Sequence, residues 1–251
     1  MHLDPAFFAS PIAHRALHDL SKGRPENSLS AIAAAVENGY GIEIDVQLSK
    51  DQQAMVFHDY SLGRLTGESG PIAQRNATEL STVKLAGGDG EGIPTLAEVL
   101  AVVSGKVPLL IEIKDQDGAN GPNVGTLERA VAHDLEGYAG PVALMSFNPH
   151  SVAEFAELCP MIPRGIVTSD YVADDWPTIP KDTRDRLRDI PDYDRVGACF
   201  ISHEARDLQR PRVAELKAQG ASILCWTIRS VAEELKAREI ADNITFEGYL
   251  A

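Results

Sequence analysis

Cysteine is scarce in this sequence: Cys159, Cys199 and Cys225 are an odd number with no C-x-x-C spacing. That excludes a disulfide framework, offers no zinc-ribbon pattern, and leads us to expect reduced, buried thiols in a cytoplasmic setting. Positive charge is also short. The 23 Lys+Arg against 37 Asp+Glu leave a net charge of −14, which argues against nucleic acid as a partner, since phosphate neutralisation draws on clustered Lys and Arg. The same deficit poses a difficulty for any anionic substrate. No stretch approaches the roughly 18 consecutive apolar residues of a transmembrane segment. Met1-His2-Leu3-Asp4-Pro5-Ala6-Phe7-Phe8 lacks the basic start and apolar run of an export signal. What is present is a globular composition, 44% apolar and 24% charged. Its 251 residues suit one α/β barrel or two smaller domains.

Short apolar runs alternate with helix-period segments, as in repeated βα units around a parallel sheet. Eight such runs are expected as strands: Pro11–His14, Gly41–Leu48, Pro108–Lys114, Val142–Ser146, Arg164–Thr168, Ala198–Ser202, Ser222–Ile228 and Asn243–Phe246. Eight strands suggest a closed barrel, with an open doubly wound sheet as the competitor. Leu96, Val99, Leu100 and Val103 follow helical spacing behind the capping box Thr95/Glu98, and Ser230/Glu233 repeats the device. Two segments break the alternation. Gln52–Leu65 reads as a small hairpin or edge strand after strand two, followed by a surface loop over Thr66–Pro94 with room for one short helix. Ser169–Arg195 reads as a polar excursion with a short helix at Lys181–Arg188. Only five residues follow the last strand, so the final outer helix is missing, and closure is left to Met1–Ala9 or to a partner chain.

In α/β barrels, chemistry collects at the C-terminal ends of the strands. There this sequence places His14-Arg15, Glu43-Ile44-Asp45, His58-Asp59 and Glu112-Ile113-Lys114. Glu43 and Asp45, two apart on a strand, share a face, and Ile42, Ile44 and Val46 fill the other; Glu112 and Lys114 repeat the geometry. Three carboxylates inside a barrel repel unless a cation joins them, and an all-oxygen set favours Mg²⁺ or Ca²⁺. A buried ion-pair network with Arg15 and Lys114 is the other reading of the same residues. His14 and His58 are the natural acid–base pair, while His18 and His203 lack such company, His203 being at most a rim residue.

These residues, with Pro25-Glu26-Asn27-Ser28, Arg64, Thr66, Ile93-Pro94-Thr95-Leu96, Ser146-Phe147-Asn148-Pro149 and Cys225-Trp226-Thr227, resemble the glycerophosphodiester phosphodiesterase family in order and spacing. The resemblance implies a TIM (β/α)₈ barrel spanning 1–251 as one domain. It further implies a divalent cation, Mg²⁺ or Ca²⁺, and hydrolysis of a small-molecule phosphodiester to an alcohol and a phosphomonoester. It matches His14 and His58 to the general acid–base pair, Glu43, Asp45 and Glu112 to the metal ligands, and Arg15 and Lys114 to positions that neutralise phosphate. Glu26 is expected in support near the metal and substrate, Asn27 as the cap of the following helix, and Trp226 at the pocket rim or in the core.

Three features depart from the family's pattern. Ala16 follows His14-Arg15 where glycine is usual, with a longer loop over Leu17–Arg24 that could reshape the entrance. Thr245-Phe246-Glu247 replaces a Thr-Asp type segment, so a polar contact there has moved or vanished. The absent final helix leaves a homo-oligomer possible. Two rival functions remain: a lysophospholipase D on single-chain lipids, whose apolar channel would draw on Phe7, Phe8 and Leu17, and a barrel that binds a phosphorylated ligand without turnover.

Overall fold

The computed structural model describes residues 1–251. Eight strands run parallel in a ring: β1 (Ile12–Ala13), β2 (Gly41–Leu48), β4 (Leu109–Ile113), β5 (Val142–Ser146), β6 (Arg164–Thr168), β7 (Phe200–Glu204), β8 (Ser222–Ile228) and β9 (Asn243–Phe246). Because β1 pairs with both β2 and β9, the ring of eight parallel strands is closed. The open doubly wound alternative is thereby excluded, and closure needs neither Met1–Ala9 nor a partner chain. The hairpin strand, β3 (Ala54–Val56), lies antiparallel against the end of β2.

Alternation along each strand builds two cores. Outward side chains such as Ile42, Ile44, Ile111 and Leu144 pack beneath the helices. Inward ones, among them Leu110, Met145, Val167, Phe200 and Leu224, fill the barrel with Phe7. Asn243, at the start of β9, donates to the carbonyls of Phe7 (2.7 Å) and Ser10 (2.8 Å), so the N-terminal segment plugs the end away from the strand C-termini. Gly165 makes room for this layer, since a Cβ there would lie 2.5 Å from the Phe200 ring.

The outer helices are α1 (Leu29–Glu37), α3 (Leu96–Val103), α4 (Thr126–Asp134), α5 (Pro149–Leu158), α6 (Lys181–Arg188), α7 (Pro211–Ala218) and α8 (Val231–Ala237), while α2 (Ala77–Leu80) sits in the excursion after β3. The Thr95/Glu98 capping box forms in both directions, and Lys181–Arg188 is helical as expected. The stretch after β3 has an apolar core of its own, in which Met55, Phe57, Leu62, Leu80 and Ile93 are buried. No helix follows β9. Instead Phe246 packs against the rings of Tyr40 (4.9 Å) and Tyr249 (5.5 Å), and the Tyr249 hydroxyl donates to Glu234 on α8.

Two strand expectations shift. β1 keeps only two residues, because Pro11 has no N–H to give and Arg15 and Ala16 turn to left-handed φ of 52° and 65°. β7 runs two residues later than expected, which places His203 inside a strand and not at a rim. It is fully buried on the outer face, hydrogen bonded to the Thr168 hydroxyl at 2.7 Å and the Asp207 carbonyl at 3.2 Å.

Candidate active site

A cavity of about 170 Å³ opens among the C-terminal ends of the strands. Its walls include His14, Arg15, Glu43, Asp45, His58, Glu112, Lys114 and Trp226, so the fold brings together every residue singled out from the sequence except Glu26. β2 and β4 supply one wall. Their register sets Asp45 opposite Glu112, and carboxylate oxygens of Glu43, Asp45 and Glu112 all lie within 4.8 Å of one another.

Three buried carboxylates face two cations here. The Lys114 ammonium donates to Glu112 at 2.7 Å and reaches Asp45 at 3.3 Å, and the Arg15 guanidinium lies 3.5 Å from Asp45. Burial favours the neutral form of Asp45, but Lys114, His58, Arg15 and a hydrogen bond from Asn27 hold it well below the carboxylate range. Glu43 is left over. Its Oε2 accepts the Arg15 backbone N–H at 2.8 Å, yet burial, followed by the charges of Asp45 and Glu112, pushes its carboxyl well above the ordinary value. One negative charge in this cluster thus lacks compensation. An oxygen-only donor set with surplus negative charge fits a hard divalent cation, and these three residues would hold it.

The two histidines are held alike. His14 Nδ1 lies 2.6 Å from Glu247 Oε2, and Arg229 Nε donates to the other oxygen at 2.8 Å. His58 Nδ1 lies 2.6 Å from Asp59 Oδ1, and Arg64 donates to both Asp59 oxygens at 2.7 and 2.8 Å. Facing an ionised carboxylate, each Nδ1 carries its proton, which leaves Nε2 as the free ring nitrogen. Burial lowers the His14 pKa; the hydrogen bond and charge of Glu247 oppose this. The hydrogen bond from His14, with His18 3.6 Å away and the charge of Arg229, in turn holds Glu247 well below its usual range.

Glu26 does not line the cavity. It accepts from Arg15 at 2.8 Å and from both terminal nitrogens of Arg64 at 2.9 Å, and so ties Arg15 to the arginine that anchors Asp59. Asn27 is not the helix cap: Ser28 caps α1, and Asn27, at a left-handed φ of 58°, donates to Asp45 at 3.0 Å. Trp226 stands at the rim, its indole N–H donating to the Ser202 carbonyl at 2.9 Å and its ring edge-on to Phe147 at 5.6 Å. Phe7, Phe8, Leu17 and the Leu17–Arg24 loop do not line the cavity, so they form no lipid channel there.

Residues 14–242 match the model of the Glycerophosphoryl diester phosphodiesterase family. The chain belongs to this family. YhdW of Bacillus subtilis (strain 168), which carries the name glycerophosphodiester phosphodiesterase provisionally, is 30% identical over 246 residues, 93% of each chain. A glycerophosphodiester phosphodiesterase of Caldanaerobacter subterraneus is 32% identical over 174 residues, 66% of this chain and 69% of that one. Among solved structures, an Oleispira antarctica phosphodiesterase in complex with the product sn-glycerol-3-phosphate superposes with a TM-score of 0.78 at 26% identity, covering 96% of this chain and 94% of that one. The protein is therefore a phosphodiesterase with the closed barrel of its family.

For this phosphodiesterase, sequence reasoning left several side chains unassigned. Asp59 and Arg229 each sit one residue past a group already singled out or a strand end, which is where barrel enzymes collect polar residues. Glu247 was visible as a departure without a partner. His18 carried no signal, since only the folded loop brings its Nε2 to 3.6 Å from Glu247.

Proposed function

We propose that this protein hydrolyses glycerophosphodiesters to an alcohol and glycerol 3-phosphate, with His14 and His58 as the acid–base pair and Glu43, Asp45 and Glu112 holding Mg²⁺ or Ca²⁺. One observation carries the proposal: two histidines, each oriented through Nδ1 by an arginine-anchored carboxylate, line one cavity with the three-carboxylate cluster. The family match and the product bound by the Oleispira antarctica relative support the substrate class.

A cation bound by the three carboxylates would supply Lewis-acid polarisation of phosphoryl and hydroxyl oxygens. His14, kept neutral by burial, accepts the proton of the attacking hydroxyl at Nε2. His58, carrying a second proton on Nε2 while Asp59 holds Nδ1, gives that Nε2 proton to the departing alcohol oxygen and is left neutral. Arg15 and Lys114 offer positive charge to the phosphoryl oxygens as negative charge grows there. The attacking group is the neighbouring glycerol hydroxyl, giving a cyclic phosphate that water opens, or water itself; trapping the cyclic product separates the two. No helix is long and apolar enough to cross a membrane, and three free cysteines support a reducing, cytoplasmic setting.

The test is release of glycerol 3-phosphate from a panel of glycerophosphodiesters, with and without EDTA. Turnover is expected to vanish on chelation and return with Mg²⁺ or Ca²⁺, and His14→Ala or His58→Ala should each lower kcat by roughly 10²–10⁴. Turnover indifferent to EDTA would remove the cation, and an active double variant would remove the histidine pair.

A further inference from the structure

The cavity holding the catalytic groups, at about 170 Å³, is small for a whole diester, since sites for small molecules usually span roughly 300–1,000 Å³. A second groove of about 510 Å³ adjoins it on the side of β8 and α8. The two share Trp226, Thr227 and Arg229, so a molecule seated at the carboxylate cluster would pass over Trp226 to enter the groove. From the way Trp226 is fixed, by its hydrogen bond to Ser202 and its edge contact with Phe147, the indole forms a rigid sill between them.

We propose that this groove receives the alcohol half of the diester and that its preferred occupant is a neutral cyclic polyol, a cyclitol or glycosyl alcohol. The inference rests on the phosphodiesterase reading of the adjoining cavity. Charge decides against an ionic alcohol: the acids Glu204, Glu233 and Glu239 balance the bases Arg206, Arg229 and Lys236 along the groove, so neither a quaternary ammonium nor a second phosphate finds an unopposed field. Most of that charge is already engaged. Glu204 pairs with Arg206, Arg229 with Glu247, and Glu233 accepts the Arg229 backbone N–H.

Gln209, Lys236 and Glu239 remain, their side chains without a hydrogen bond or ion pair in the fold, and they offer both donors and acceptors. Buried Leu208, Ile228 and Ala237 complete the lining. An apolar floor with donors and acceptors at its margin suits a ring that presents C–H faces and hydroxyl edges. A two-carbon amino alcohol is too short to use that margin.

The experiment compares kcat and KM for glycerophospho-myo-inositol and glycerophosphoethanolamine in the wild type, Gln209→Trp and Lys236→Ala, with thermal melts to confirm folding. Gln209 and Lys236 are exposed, so both variants should melt with the wild type. The inositol diester should be the better wild-type substrate. Either variant should raise its KM roughly tenfold, the cost of one lost hydrogen bond to a charged group or of a blocked groove, with the ethanolamine diester unchanged. Equal effects on both substrates, no effect on the inositol diester, or wild-type preference for the ethanolamine diester would overturn the groove assignment alone. Wild-type turnover of neither diester, nor of any other glycerophosphodiester, would overturn the phosphodiester reading and this inference together.

Discussion

His14 and Glu247 stand 233 residues apart in sequence and 2.6 Å apart in the fold, joining the first strand of the barrel to the segment after the last. The carboxylate fixes the imidazole tautomer and raises its proton affinity against burial, which alone would lower it. Arg229 on one side and His18 on the other keep Glu247 ionised for this task.

Glu247→Gln should therefore lower the His14 pKa further below its ordinary 6.5, because both the charge and the charge-assisted hydrogen bond that raise it are lost. With His14 as base, the acid limb of the pH profile of kcat/KM is expected to move to lower pH. At the plateau, kcat should fall by about tenfold or more as the base weakens. A pH–rate series on the two proteins checks this, and a limb that stays in place would deny His14 the role of base.

Glu43 offers a stability prediction. Its carboxyl titrates higher in the folded protein than its ordinary 4.5, so above that pH the unfolded chain releases the proton more readily, and folded stability falls as pH rises through the window between the two values. In EDTA at pH 7–8, Glu43→Gln should melt higher than the wild type. A gain on the order of 1 kcal/mol would appear as about 2–4 °C in a chain of this size. The advantage should shrink towards pH 4.5 and reverse when a divalent cation is added, since the variant loses a ligand. Calorimetry across pH, with and without Mg²⁺, decides it.

Gly165→Ala tests the barrel interior. The new methyl would lie 2.5 Å from the Phe200 ring, and a packed core has no space to yield. A loss of roughly 1–3 kcal/mol is expected, read as a lower melting temperature. KM should change little, because neither residue lines the active cavity. An unchanged melting temperature would show that Phe200 relaxes freely.

Much of this protein was legible in its residues alone. The i, i+2 spacing of Glu43 and Asp45, with Ile42, Ile44 and Val46 between and beside them, determined that the acids share one face of a strand, because side chains alternate on a pleat whatever the fold around it. The Thr95/Glu98 box determined a helix start for the same local reason, and strands at 41–48, 142–146, 164–168, 222–228 and 243–246 lie where the apolar runs put them. Contacts between distant segments were not legible. Asn27 reads locally as a helix cap, and only the packing of the first βα loop against β2 turns it onto Asp45. Glu26 reads as a cavity group until the turn after β3 delivers Arg64 to it. The partner of His14 lies beyond the last strand, and ring closure through the pairing of β1 with β9 alone brings it there. Local periodicity sets which face a side chain takes; which side chain meets it across the barrel depends on register and closure, and those belong to the tertiary structure.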